Sequence, residues 1–90
     1  MLRQVVRSKA GKDRGGYFAV LSENGDFAYI ADGRLRKVEK PKRKNVRHLA
    51  PTNTVLKPED CETNKKLRAA LAGFNMTDEG GNLLVQRRRD

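Results

Sequence analysis

The sequence predicts a mainly β domain, a small barrel or sandwich, followed by one α-helix. Three observations carry this. Short apolar runs recur about every ten residues in the first half, with glycine-containing turns between them. Asn24-Gly25 and Asp32-Gly33 both sit at such turns, and Asn-Gly between apolar runs is a strong hairpin signal. In the second half, Leu67, Ala70, Leu71 and Phe74 follow the i, i+3, i+4, i+7 spacing of one helical face.

The elements follow in order. Leu2 to Ser8 begins the first strand, with Val5-Val6 at its centre. The stretch SKAGKDRGGY, residues 8–17, makes a basic glycine loop. Tyr17 to Leu21 forms the second strand, and both of its faces are apolar: Phe18 and Val20 on one, Tyr17, Ala19 and Leu21 on the other. Alternation alone therefore leaves its inward face open. Asn24-Gly25 suits a type I′ turn, and Phe27 to Ala31 returns. Leu35 to Lys40 reads as a short third pass that Pro41 ends, because proline cannot donate to a ladder. KPKRKN, residues 40–45, reads as a basic linker, and Val46 to Leu49 as a final strand ending before Pro51. Pro58-Glu59-Asp60 marks a helix start, with acids at the positive end of the dipole. The helix is expected to break over Thr77–Gly81, ahead of the short run Leu83-Leu84-Val85 and the basic end Arg87-Arg88-Arg89.

The organisation expected is a β domain over residues 1–50 and a helical extension over residues 51–90, packed on it or partly flexible. Ninety residues with 37% apolar content support a modest core. They leave little room for a deep substrate cavity with a full catalytic apparatus. No stretch has the roughly 18 apolar residues of a membrane span, and Met1 to Arg7 has no apolar signal-peptide core. The single cysteine, Cys61, excludes a disulfide within the chain and points to a reducing, cytoplasmic setting.

Charge is the strongest functional signal. The net charge is +9, and residues 1–50 carry 13 Lys or Arg against 5 Asp or Glu, a balance of +8. Residues 51–90 carry 7 against 6, a balance of +1. Positive charge concentrated in one half suits a polyanion. Between Arg34 and Arg47 lie eight cations, Arg34, Arg36, Lys37, Lys40, Lys42, Arg43, Lys44 and Arg47, opposed only by Glu39. The glycine loop adds Lys9, Lys12 and Arg14. Each phosphate contact releases condensed counterions, so a set of this size dominates affinity at low salt. The bland reading of such a run is a solvated surface. KPKRK also has the composition of a nuclear import signal, a match common among basic proteins.

Other chemistry finds little support. Gly11 and Gly16 have Walker A spacing, but Tyr17 stands where the lysine belongs and a strand follows instead of a helix. The Rossmann glycine spacing is absent. His48 has no cluster of ligands around it in the sequence, and no carboxylate pair or Cys–His arrangement stands out. No enzyme, metal, cofactor or small-molecule substrate is expected. Tyr17 and Tyr29 suit base stacking, though a core with only 2 Tyr and 3 Phe in the whole chain needs most of its rings.

GKDRG between two apolar strands resembles the KOW motif, a strand–loop–strand unit whose near-fixed glycine matches Gly15. VVRSKAGKDRGGYFAVL followed by AYIADGRLRKVEKPKRKNVRHL resembles the N-terminal domain of the fourteen-e large-subunit ribosomal proteins. It is closer still to the short stand-alone KOW proteins of bacteria described as RNA-binding. The resemblance covers about residues 2–50. It implies an SH3-like β-barrel that binds structured RNA, ribosomal RNA above all, in the cytoplasm and on or near the ribosome. The other expectation is a protein-binding adaptor that uses the barrel edge or the 67–74 helix face.

Overall fold

The computed structural model describes residues 1–77. It contains five strands, β1 (Gln4–Ser8), β2 (Tyr17–Asn24), β3 (Phe27–Ala31), β4 (Lys42–Asn45) and β5 (Leu49–Val55), then the helix α1 (Asn64–Thr77). The strands form one antiparallel sheet in the order β4-β3-β2-β1-β5. A mainly β domain with one following helix is therefore what the chain forms. The ladder is open, with β4 and β5 as its edges. The division expected after residue 50 falls inside β5, which pairs with β1.

The sheet is nonetheless strongly curled, and chain length requires it. In a flat sheet, edges four strand spacings apart would lie about 19 Å from one another. Only a three-residue 3-10 turn, Val46–His48, separates β4 from β5. The four steps from Asn45 to Leu49 span at most about 14 Å even when fully extended. Two backbone bonds hold the crossing: Val46 N–H donates to Asp26 O at 2.9 Å, and Lys9 N–H to His48 O at 2.8 Å.

Curling explains why both faces of β2 are apolar. Val6, Phe18, Val20, Ala28, Ile30 and Leu49 form one buried cluster inside the curl. Val5, Ala19 and Ala31 face the other way and pack with Leu56, Leu67 and Leu71. Leu67 and Leu71 are an i, i+4 pair with 0% and 1% exposure. A 14-residue helix is marginal alone in water, so this packing is what holds α1. Each fully buried leucine contributes about 1.5–3 kcal/mol by transfer from water. The Thr63 hydroxyl accepts from Lys66 N–H at 3.1 Å and caps the helix start.

Several expected elements differ. Leu35 to Lys40 is a loop, not a strand, because side chains occupy its backbone donors. Asp32 Oδ1 accepts from the N–H groups of Arg34 and Arg36, both at 2.9 Å. Asn64 Oδ1 accepts from Val38 N–H at 2.8 Å. KPKRKN is not a linker, since Lys42 to Asn45 of this stretch is β4. An edge strand tolerates lysines, which also discourage further strand pairing. Val46 to His48 is a 3-10 turn capped by Asn45, whose Oδ1 accepts from Arg47 N–H at 2.9 Å. The last strand then runs through Pro51, which an edge position permits. Pro58 opens a 3-10 turn over Pro58–Cys61, and the α-helix starts six residues later at Asn64.

The β2–β3 hairpin is also shifted. Asn24 pairs with Phe27, so its two-residue loop is Gly25-Asp26. Gly25 takes φ +63 whereas Asp26 does not share a positive φ. Glycine alone in that region at the first loop position fits type II′ rather than I′. The Leu83–Val85 run, Arg87–Arg89 and all of the expected break beyond Thr77 lie outside the described residues.

Candidate nucleic-acid interface

The glycine loop between β1 and β2 lies against the loop between β3 and β4, and a partly buried ion pair joins them. The Asp13 side chain is 4% exposed and receives Arg36 in a forked contact. Arg36 Nη2 donates to Oδ2 at 3.1 Å and to Oδ1 at 3.2 Å, and Nε donates to Oδ1 at 3.3 Å. The planar guanidinium matches the carboxylate with two parallel contacts, which fixes orientation as well as distance. A second strut is Lys44, 9% exposed, whose Nζ donates to Ala10 O at 2.6 Å. It ties β4 to the glycine loop. Gly15 N–H closes that loop on Ser8 O at 2.8 Å.

These struts gather the other cations. Lys12, Arg14 and Arg34 line an open cleft of ≈ 350 Å³, together with Leu35 and Asn75. Lys37, Lys40, Lys42 and Arg43 line a second of ≈ 390 Å³, with Arg36 and Leu35. Leu35 borders both clefts and is 75% exposed. Seven exposed cations from two loops and one strand thus line two clefts that share Leu35. The carboxylates of these loops are engaged. Asp13 holds Arg36, Asp32 holds backbone N–H groups, and Glu39 Oε1 accepts from Asn64 Nδ2 at 2.8 Å. That bond lowers the Glu39 carboxyl below its usual range, so it stays charged at neutral pH.

The expected residues therefore sort into groups. Arg36 and Lys44 act as struts between loops, because Arg36 pairs with Asp13 and the buried Lys44 donates to the Ala10 carbonyl. Lys9 and Arg47 are exposed but are not among the residues that line the clefts. Tyr17 is half-buried against Phe74, with ring centroids 5.4 Å apart, and its N–H donates to Asn75 Oδ1 at 2.9 Å. It is a core anchor rather than an open platform. Tyr29 is half-buried and is the cross-strand partner of Arg43. The Leu67–Phe74 face offered to a protein partner is instead packed on the sheet through Leu67 and Leu71.

Sequence reading missed Asp13 as the organiser, Leu35 as the exposed apolar tip, and Phe27. The signal for Asp13 was a lone acid between Lys12 and Arg14 in an otherwise basic loop. Phe27 shows itself only once its strand face is known. Arg43 lies over its ring, the guanidinium carbon 4.6 Å from the centroid.

Among the described residues no three His, Cys, Asp or Glu side chains cluster as metal ligands. Cys61 is half-buried, and burial, then the Asp60 charge, pushes its thiol up, which lowers its reactivity. No described helix is long and apolar enough to cross a membrane. No protein-family model matches the chain, and no curated protein matches it significantly.

Proposed function

We propose that this chain is an RNA-binding module of the KOW type, built on an SH3-like barrel. It grips the phosphate backbone of structured RNA, ribosomal or ribosome-associated, works in the cytoplasm, and performs no catalysis. The barrel reading is supported by the curl, the strand order and the 3-10 turn that leads into β5. The observation that carries the RNA reading is the convergence of Lys12, Arg14, Arg34, Lys37, Lys40, Lys42 and Arg43 around Leu35. Here eight cations line the paired clefts, with Asp13, Asp32 and Glu39 the acids of the same loops. Phosphate contacts of this kind position a protein on RNA without reading its sequence.

Crosslinking in cells, followed by sequencing of the bound RNA, tests this. Ribosomal RNA should be enriched with the natural chain. The enrichment should vanish for the triple variant Lys12→Glu, Arg34→Glu, Lys42→Glu. Recovery of no RNA above a charge-matched control protein would sink the proposal.

A further inference from the structure

The outward face of the β2–β3–β4 part of the sheet is the region the phosphate reading does not absorb. Along β3, Ala28 and Ile30 point into the curl. Phe27, Tyr29 and Ala31 therefore point outward. Ala31 is covered by α1, in one cluster with Leu67 and Leu71. Phe27 and Tyr29 lie further along the strand and are not members of that cluster. Cross-strand pairing adds Ser22 and Arg43, each opposite Tyr29, to the same face. Phe27 is 36% exposed. The Arg43 guanidinium sits on that ring at 4.6 Å from the centroid. Arg43 also borders the cleft formed with Lys40 and Lys42, so the face continues the basic surface.

We infer that Phe27, Tyr29 and Arg43 form a stacking platform for an unpaired base of the RNA whose backbone the neighbouring cations hold. This rests on the RNA reading above. The chemistry is specific. Bases stack on guanidinium planes and on aromatic rings, and Arg43 and Phe27 supply one of each at a 4.6 Å separation. The ligand is anionic along its backbone and apolar on its base faces, which complements a ring pair bordered by Lys40, Lys42 and Arg43. A fully paired helix offers no free base face, so the platform selects RNA with a loop, bulge or unpaired end.

The test compares two RNAs of equal length and charge: a hairpin with an unpaired loop carrying 2-aminopurine, and a fully paired duplex. The full chain should bind the hairpin more tightly, with quenching of the 2-aminopurine fluorescence. Arg43→Lys keeps the charge and loses the plane. Arg43→Lys and Phe27→Leu should each weaken hairpin binding by about 5- to 100-fold, the range of a single base stack. For Phe27→Leu, duplex affinity should stay within about twofold, because no cation is changed. Both positions are at the surface, so an unchanged thermal midpoint checks the fold. Equal binding of the two RNAs, or equal weakening of both by Phe27→Leu, overturns the platform and leaves the phosphate reading standing. Binding to neither RNA overturns both.

Discussion

One face of β3 has two fates within five residues. At Ala31 it is closed by Leu67 and Leu71 of α1. At Phe27 and Tyr29 it is occupied by Arg43 and bordered by lysines. The first region is held by apolar contact, with nothing polar at stake. The second carries rings and cations that belong to no apolar cluster among the described residues. The difference teaches how to separate stability from binding in a chain this small. Substitutions under the helix should cost folding free energy and leave intrinsic affinity alone. Substitutions on the cationic side should do the reverse. The struts Asp13, Arg36 and Lys44 lie between, because they hold the two loops that carry the cations.

The largest effect should come from the covered region. Leu67→Ala should lower stability by about 2–5 kcal/mol in urea unfolding. RNA affinity, measured well below the unfolding midpoint, should hardly change. A large affinity loss in the folded variant would break the comparison.

Gly33→Ala should cost about 2–4 kcal/mol, by φ strain at +81 and by overpacking. The added Cβ would run into the Asn64 carbonyl oxygen at the helix start. Gly25→Ala is the control. It also has positive φ, +63, but open space around it, so only about 1–2 kcal/mol should be lost. Equal losses at the two positions would mean that α1 does not press on the β3–β4 loop.

On the cationic side, the triple variant Lys12→Glu, Arg34→Glu, Lys42→Glu should weaken RNA binding about 100-fold at low salt, about 2.7 kcal/mol. Its unfolding midpoint should stay close to that of the natural chain, because all three side chains are exposed. A collapse of stability would place these residues among the struts.

Asp13→Asn falls between the two. It keeps the shape and removes the charge that holds Arg36. Stability should drop by about 1–3 kcal/mol, since Arg36 is partly exposed and regains water. Affinity should fall modestly even though the net charge rises by one. A gain in affinity would show that net charge outweighs the arrangement of the loops.

The sequence made some of this legible. Val5-Val6, Phe18 to Val20 and Phe27 to Ala31 are strands because short apolar runs between turns leave the chain few alternatives. Leu67 and Leu71 announced the helix face by spacing alone. The rest depends on contacts distant in the chain. β4 is Lys-Arg-Lys-Asn, an edge strand with no apolar alternation to betray it. Leu35 to Lys40 read as a strand but is a loop, because its backbone donors are taken by Asp32 and by Asn64, the latter 26 residues from Val38. Eleven cations were legible as a group but not as individuals. Nothing local marks Arg36 as the partner of Asp13, or Lys44 as buried on Ala10. Tyr17, which suited base stacking, is a core anchor for the same reason. The helix that covers Tyr17 comes from the far end of the chain.

The measurement closest to the central claim is the salt dependence of binding to a ribosomal RNA fragment. Seven convergent cations making five to seven phosphate contacts predict a slope of log K against log salt of about −4 to −6. The Lys12→Glu, Arg34→Glu, Lys42→Glu variant should reduce that slope by about 2 or more. A flat line for the natural chain, or a slope that the triple variant leaves unchanged, would contradict the account.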